Sequence, residues 1–273
     1  MKSFLRIFPH RRCNIIGMIH VPALPGTPAA NLSMAEILEK VDHEAEIYRS
    51  CGLDGLIIEN MHDTPYCLEK DLEPHIATCM TMVGQLVRSR MKDTMPVGVQ
   101  ILAAANKSGL AVAKAAELQF IRAEGFVFGH VGDEGWIDAC AGPLLKYRHQ
   151  MGGQGISIFC DIKKKHSAHA VTSDVTIEET AKAAEFFRAD GVIVTGTATG
   201  DPANPEDISA VMNAVPDTPV LVGSGVTVEN LQTYSAANGL IIGSYFKTGG
   251  NWENDLDPDR VMSVMEESRK YKL

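Results

Sequence analysis

The chain has 273 residues, with 25 Lys+Arg against 34 Asp+Glu and a formal net charge of −9. Its 45% hydrophobic and 22% charged residues are the balance of a folded globular protein, which argues against disorder. Dispersed basic residues on an acidic chain exclude a nucleic-acid backbone binder, and no apolar run reaches the roughly 18 residues of a membrane-spanning helix.

The chain opens basic: Lys2, Arg6, Arg11 and Arg12 all precede the first acidic residue, Glu36, a bias shared with mitochondrial presequences. Strand-like sequence already begins at Asn14, which leaves little room for one, and no secretory apolar core is present. Residues 1–13 are therefore read as a short basic extension. The expected compartment is cytoplasmic, with the mitochondrial matrix as the alternative. Six cysteines (Cys13, Cys51, Cys67, Cys79, Cys140 and Cys160) lack any CxxC pair and read as reduced thiols.

From Asn14 onward, short apolar runs alternate with longer segments of helical period. Strands are predicted over 14–20, 54–60, 96–102, 118–124, 156–163, 190–195, 219–223 and 239–243. Their starts are spaced about 32 residues apart on average, the size of one βα unit. Helical faces lie between them, as in Met34-Ile37-Leu38-Val41, Ile177-Ala181-Ala184-Phe187 and Ile208-Val211-Met212-Val215. Ser33, Thr176 and Thr227 are the expected N-caps, the first two with Glu three residues on as capping boxes, and Pro258 suits a first helical turn. The run 125–131 also resembles a strand; we place strand four at 118–124 and read 125–135 as a long loop after it.

Eight βα units without a linker predict one (β/α)8 TIM barrel spanning residues 1–273, including the basic extension. A doubly wound dinucleotide fold is disfavoured because no GxGxxG follows the first strand. Barrel active sites lie at the C-terminal strand ends, and the polar residues there are many. His20 follows strand one, Glu59, Asn60 and Asp63 follow two, and Gln100 and Asn106 flank three. Arg122, Glu124, His130, Asp133 and Glu134 belong to four, and Asp161, Lys163, Lys165 and His166 to five. Thr195, Thr197, Thr199 and Asp201 follow six.

Two glycine loops complete the rim: Gly223-Ser224-Gly225-Val226 after strand seven and Gly243-Ser244-Tyr245-Phe246-Lys247 after strand eight. Barrels that bind phosphate use these loops, because glycine lets backbone N–H groups approach an anion. Gly223, Ser224, Gly225, Gly243, Ser244 and Lys247 are the candidate phosphate residues, Lys247 supplying a full charge. Asn60, Arg122, Asp133, Thr195 and Thr197 are the candidate substrate contacts.

Alternation along strand five places Asp161, Lys163 and Lys165 on one side. A neighbouring carboxylate would keep such a lysine charged, whereas burial would lower its pKa; both readings stay open. Glu59 and Asp161 are the candidate acid and base, with His20 as a shuttle. A structural salt-bridge network is the bland alternative. Another is a metal held by His20, Glu59 and Asp161 with His166 or His169, although no HxH or HExxH spacing supports it. No cofactor is called for, with a divalent metal as the variant reading. His10, His43, His62, His75 and His149 read as surface residues. Lys163-Lys164-Lys165 next to Asp161 makes a poor nucleic-acid footprint.

The ordered set of motifs resembles the BtpA/SgcQ family. It comprises the run from Gly17 to Pro28, Ile57-Ile58-Glu59-Asn60 with Asp63 and Pro65, Phe120-Ile121-Arg122, and Asp133-Glu134-Gly135. Asp161 with Lys165-His166, the run from Val194 to Gly200, and Gly223-Ser224-Gly225-Val226 continue it. The resemblance implies a barrel of the ribulose-phosphate-binding type in a family named for a photosystem I biogenesis role, with no reaction common to its members. The chain departs from the family pattern at Gln100-Ile101-Leu102-Ala103-Ala104-Ala105, where a polar run is usual. It also has Asn238-Gly239 in place of Asp-Gly, and Lys163 in place of a histidine.

The expected function is an enzyme acting on a small phosphorylated metabolite, a sugar phosphate or nucleotide-derived compound, by isomerase, lyase or glycosyl-transfer chemistry. A noncatalytic assembly or regulatory barrel and a metal-dependent hydrolase are the alternatives. The expected partner is the metabolite alone, with self-association through outer helices left open.

Overall fold

The computed structural model describes residues 1–8, 13–91 and 95–271, so His10, Arg11 and Arg12 lie outside the described residues. Helix α1 (Lys2–Ile7) leads into β1 (Asn14–His20), α2 (Met34–Cys51), β2 (Gly55–Glu59), α3 (Pro74–Met91), β3 (Val97–Gln100), α4 (Asn106–Ala115) and β4 (Phe120–Ala123). Then come β5 (His130–Gly132), β6 (Gly135–Ile137), α5 (Ala141–Gln150), β7 (Ser157–Ile162), β8 (Ser167–Ala168) and α6 (Ile177–Phe186). The chain ends with β9 (Gly191–Val194), α7 (Pro205–Ala214), β10 (Val220–Val222), β11 (Gly239–Ile242) and α8 (Pro258–Lys270). The sheet closes in the order β1-β11-β10-β9-β7-β4-β3-β2, and every pairing in the ring is parallel. This is the expected (β/α)8 TIM barrel.

Period-two alternation splits the strands between two cores. Ile15, Ile19, Leu56, Ile58, Val97 and Val99 face outward onto the helices. Ile16, Met18, Ile57, Phe120, Phe159, Ile193, Leu221 and Ile241 fill the inside. Gly98 makes room for Phe120, since a Cβ there would stand 2.2 Å from the ring. The next inward positions along β1, β2, β3, β4 and β7 are His20, Glu59, Gln100, Arg122 and Asp161. Polar groups therefore occupy the tier above the apolar plug.

The basic extension is part of the barrel and not an appended tail. Phe4 and Phe8 of the α1 segment belong to the interior cluster, with Phe4 5.8 Å from Phe159 and Phe8 6.0 Å from Phe120 between ring centroids. Phe8 also lies against Gly55, at the start of β2, so α1 stoppers the N-terminal end. Each buried phenylalanine contributes about 1.5–3 kcal/mol, while Lys2 and Arg6 stay exposed.

Ser33 and Thr176 form complete capping boxes on α2 and α6, and Pro258 opens α8 behind the N-cap Asp257. Thr227 caps no α-helix: its N–H donates to Asn230 Oδ1, and only a 3-10 turn at Leu231–Tyr234 follows. The expected loop 125–135 contains a hairpin. Strands β5 and β6 pair antiparallel around Asp133-Glu134, with Gly135 at φ 107°, and β5 also pairs with β8. Left-handed glycine at the turn is what makes so tight a reversal available. Among the described residues, no helix is long and apolar enough to cross a membrane.

Candidate active site at the C-terminal mouth of the barrel

A cavity of about 260 Å³ opens at the C-terminal ends of the strands. It is lined by Glu59, Arg122 and Lys165, by His20 beside Gly243, and by the loops Gly223-Ser224-Gly225-Val226 and Gly243-Ser244-Tyr245. Residues singled out on strands one, two and four thus meet the two glycine loops.

Arg122 and Asp161 form a buried pair, with Nη2 donating to Oδ1 at 3.0 Å and Nε to Oδ1 and Oδ2 at 3.2 and 3.1 Å. Burial raises the Asp161 pKa above its usual 3.8, with Arg122 opposing. Because Asp161 is committed to Arg122 and does not line the cavity, it is placed as the group that orients the guanidinium. That guanidinium also approaches the glycine wall: a Cβ on Gly223 would stand 3.1 Å from Nη2.

Glu59 is 7% exposed, and among the described residues none donates a hydrogen bond to its carboxylate. Burial pushes its pKa above the ordinary 4.5, while Arg122 and Lys165 pull it down. Lys165 Nζ donates to Thr199 Oγ1 at 3.3 Å. Burial and then Arg122 lower its pKa below 10.5, against the pull of Glu59 and Asp161. Of the two effects left open for a strand-five lysine, desolvation is the larger here.

His20 Nδ1 donates to the carbonyl of Trp252 at 3.3 Å. That bond leaves Nε2 as the acceptor, and Nε2 lies 2.9 Å from where a Cβ of Gly243 would stand. Burial, then Lys247, hold the ring well below the usual 6.5. His20 is therefore a neutral imidazole at physiological pH.

The glycine wall is shaped by steric necessity. Gly225 has φ 65°, and a Cβ there would stand 2.2 Å from Pro202 N and 2.3 Å from Asp201 O. Ser224 Oγ accepts from Gly196 N at 2.7 Å and donates to Asp201 O at 2.9 Å, so its hydroxyl fastens the neighbouring loop. The amide N–H groups of Gly225, Val226, Ser244 and Tyr245 donate to no acceptor among the described residues. They are what this wall offers an anion.

Several candidates stand elsewhere. Lys247 is 1% exposed and donates to Glu44 Oε1; it lines a separate groove and not the glycine cavity. Lys163 leaves the expected alternation because its φ is 48°, and its Nζ donates to Thr172 O at 2.8 Å. Lys164 turns inward instead, 3.4 Å from Glu124. Asn60 donates to Asp63 and accepts from Leu102 N, tying the loops after β2 and β3 together. Thr195 Oγ1 accepts from Lys165 N, and Thr197 Oγ1 donates to Asp201, so both hold the loops of the rim. Asp133 is 77% exposed in the hairpin turn, 3.9 Å from His166.

His62 and His75 are half-buried, unlike the surface positions expected for them. Gln100, expected among the strand-end polar residues, is the strand neighbour of Glu59, with a buried Oε1 that has no partner. The Trp252 carbonyl, far along the chain, left no sequence signal. Among the described residues, no group of three or more His, Cys, Asp or Glu is disposed to hold a metal ion.

The sequence model of the BtpA family matches residues 11–270. The chain is 53% identical over 261 residues to the "Uncharacterized protein F13E9.13, mitochondrial" of Caenorhabditis elegans, covering 94% of each chain. It is 32% identical to the "Photosystem I biogenesis protein BtpA" of a Synechocystis strain, over 92% of this chain and 86% of that one. Among solved structures, phosphoribosyl anthranilate isomerase from Thermus thermophilus superposes with a TM-score of 0.58 at 10% identity, over 94% of this chain and 99% of that one. At that identity the likeness is one of fold. The chain belongs to the BtpA family.

Proposed function

We propose that the protein is an enzyme that moves a proton on a small phosphorylated metabolite held at the barrel mouth. The observation that carries this reading is the meeting of two unlike sets of groups at one cavity: unspent amide donors on Gly225, Val226, Ser244 and Tyr245, and Glu59 with Lys165 and Arg122. The amides cradle the phosphate. Glu59, its basicity raised by burial, takes or gives the proton at carbon. Lys165 and Arg122 stabilise the oxyanion that develops when a C–H bond beside a carbonyl is broken. His20 Nε2 accepts and returns a second proton at the neighbouring oxygen. Isomerisation and retro-aldol cleavage both use such a set, and the sugar-phosphate chemistry in the name of the Thermus isomerase is consistent with it.

Thermal-shift titration with inorganic phosphate and ribose 5-phosphate tests the reading, with Ser244→Asp adding a negative charge at the cradle. Stabilisation of the native chain that Ser244→Asp abolishes supports it. Absence of any shift with either compound overturns it.

A noncatalytic assembly role is the second reading, favoured by the apolar run 101–105 at the end of β3 and by the biogenesis name of the cyanobacterial relative. Cellular function that survives Glu59→Gln would select it. The mitochondrial designation of the nematode relative favours the matrix over the cytosol as this chain's compartment.

A further inference from the structure

Beside the glycine cavity lies a larger groove of about 910 Å³ between α2 and the segment 247–256. The two share His20 as a common wall. At the groove, Lys247 and Glu44 form an ion pair whose side chains are 2% and 15% exposed. Glu44 Oε2 is buried and has no hydrogen-bond partner, and among the described residues Lys247 bonds only one side-chain acceptor. A buried ion pair repays its desolvation only when its remaining lone pairs and donors are also satisfied. This pair has an acceptor to spare.

The rim narrows the chemistry further. Glu36, Glu39, Glu253 and Asp255 join Glu44 around the groove, against Lys40 and Lys247. The excess of carboxylates opposes a second phosphate. His62 and Trp252, both half-buried, stand with ring centroids 5.0 Å apart, and the His20 ring lies 6.5 Å from Trp252. These are flat faces suited to a planar ring. A cavity of about 260 Å³ is small for a phosphate, a sugar and a ring together, against about 300–1,000 Å³ for ligand sites in general, and the groove of about 910 Å³ beside it supplies the missing room.

We propose that the groove is the second half of the substrate site. It takes the end of the substrate remote from the phosphate, and that end is an uncharged planar ring with N–H or O–H donors, as in a nucleoside monophosphate. This rests on the phosphate reading of the glycine wall. Glu44 Oε2 accepts from the ring, and the ring packs on Trp252 and His62.

Calorimetric titration of the full chain tests this with inorganic phosphate, ribose 5-phosphate, fructose 1,6-bisphosphate and the four common nucleoside 5′-monophosphates. At least one nucleoside monophosphate is expected to bind about tenfold or more tighter than ribose 5-phosphate, the stacking contribution expected of one ring. The bisphosphate should gain nothing. Trp252→Leu and Glu44→Gln should each erode the preference while leaving the affinity for inorganic phosphate within about twofold. Phosphate binding with no preference for any nucleoside monophosphate overturns the groove proposal alone, as does a preference that survives Trp252→Leu. Failure of every phosphorylated probe overturns the glycine wall and the groove together.

Discussion

Arg122 and Asp161 sit on neighbouring strands with two guanidinium nitrogens on one carboxylate, at 3.0 Å for the shortest contact, and with side chains 5% and 2% exposed. Removing the charge from one partner strands the other in a low-dielectric interior. Asp161→Asn should cost about 3 kcal/mol of stability, at the lower end for a buried pair because Glu59 still faces Arg122. Urea unfolding of the variant checks this; a loss under about 1 kcal/mol, the range of an exposed pair, would contradict it.

The glycine wall predicts a split between two substitutions. Gly225→Ala forces a Cβ into backbone at 2.2 Å and a left-handed φ, so it should destabilise by more than the roughly 1–2 kcal/mol of the conformation alone. Gly243→Ala meets the His20 ring at 2.9 Å and then Met18 Cβ at 3.4 Å, and overpacking of that kind costs about 1–3 kcal/mol. Its main effect should be displacement of His20, read as a changed imidazole resonance by NMR with the melting transition still cooperative.

Glu59 and Lys165 predict opposite pKa displacements. The Glu59 carboxyl should titrate above 4.5 and the Lys165 ammonium below 10.5, each resolved by carbon-13 NMR against Glu59→Gln and Lys165→Met. The raised Glu59 value means that the folded state holds its proton in a window where the unfolded chain has lost it. Stability therefore falls as pH rises from 4.5 through the folded pKa. Glu59→Gln should accordingly be more stable than the native chain at neutral pH, the usual signature of a functional carboxylate.

His130 gives a pH effect of the other sign. It is buried with no partner at Nε2, and burial, then Lys164 and His169, lower its pKa from 6.5 to about 4. The unfolded imidazole takes up a proton below 6.5 and the folded one resists until about 4, so stability is lost as pH falls through that interval. Thermal melts of His130→Phe should show a shallower decline over the same interval.

The stopper helix predicts a stability effect far from the mouth. Phe4→Ala and Phe8→Ala should each cost about 3 kcal/mol, and removal of residues 1–8 should expose Phe120 and Phe159. Denaturant titration measures both; equal stability with and without the segment would refute the packing.

The barrel was legible because its strands are short apolar runs at a steady spacing. His20, Glu59 and Arg122 were legible because period two carries each into the same tier. Lys163 was not, since a single residue with φ 48° breaks the alternation that strand counting assumes. Lys247 was not either, because the carboxylate that claims it lies 203 residues away in Glu44. At the N-terminus, Lys2 and Arg6 mark the exposed side of α1, while the packing residues Phe4 and Phe8 stand four apart on the opposite side. The Asp133-Glu134 reversal was hidden because apolar β5 reads as a continuation of the preceding segment.

Phe4 meets Phe159, and Phe8 meets Phe120 and lies against Gly55, so the opening segment cannot complete its packing until β7, in the second half of the polypeptide, is in place. After closure the same stretch is locked to the floor of the molecule. The floor therefore ties the first residues of the chain to its second half.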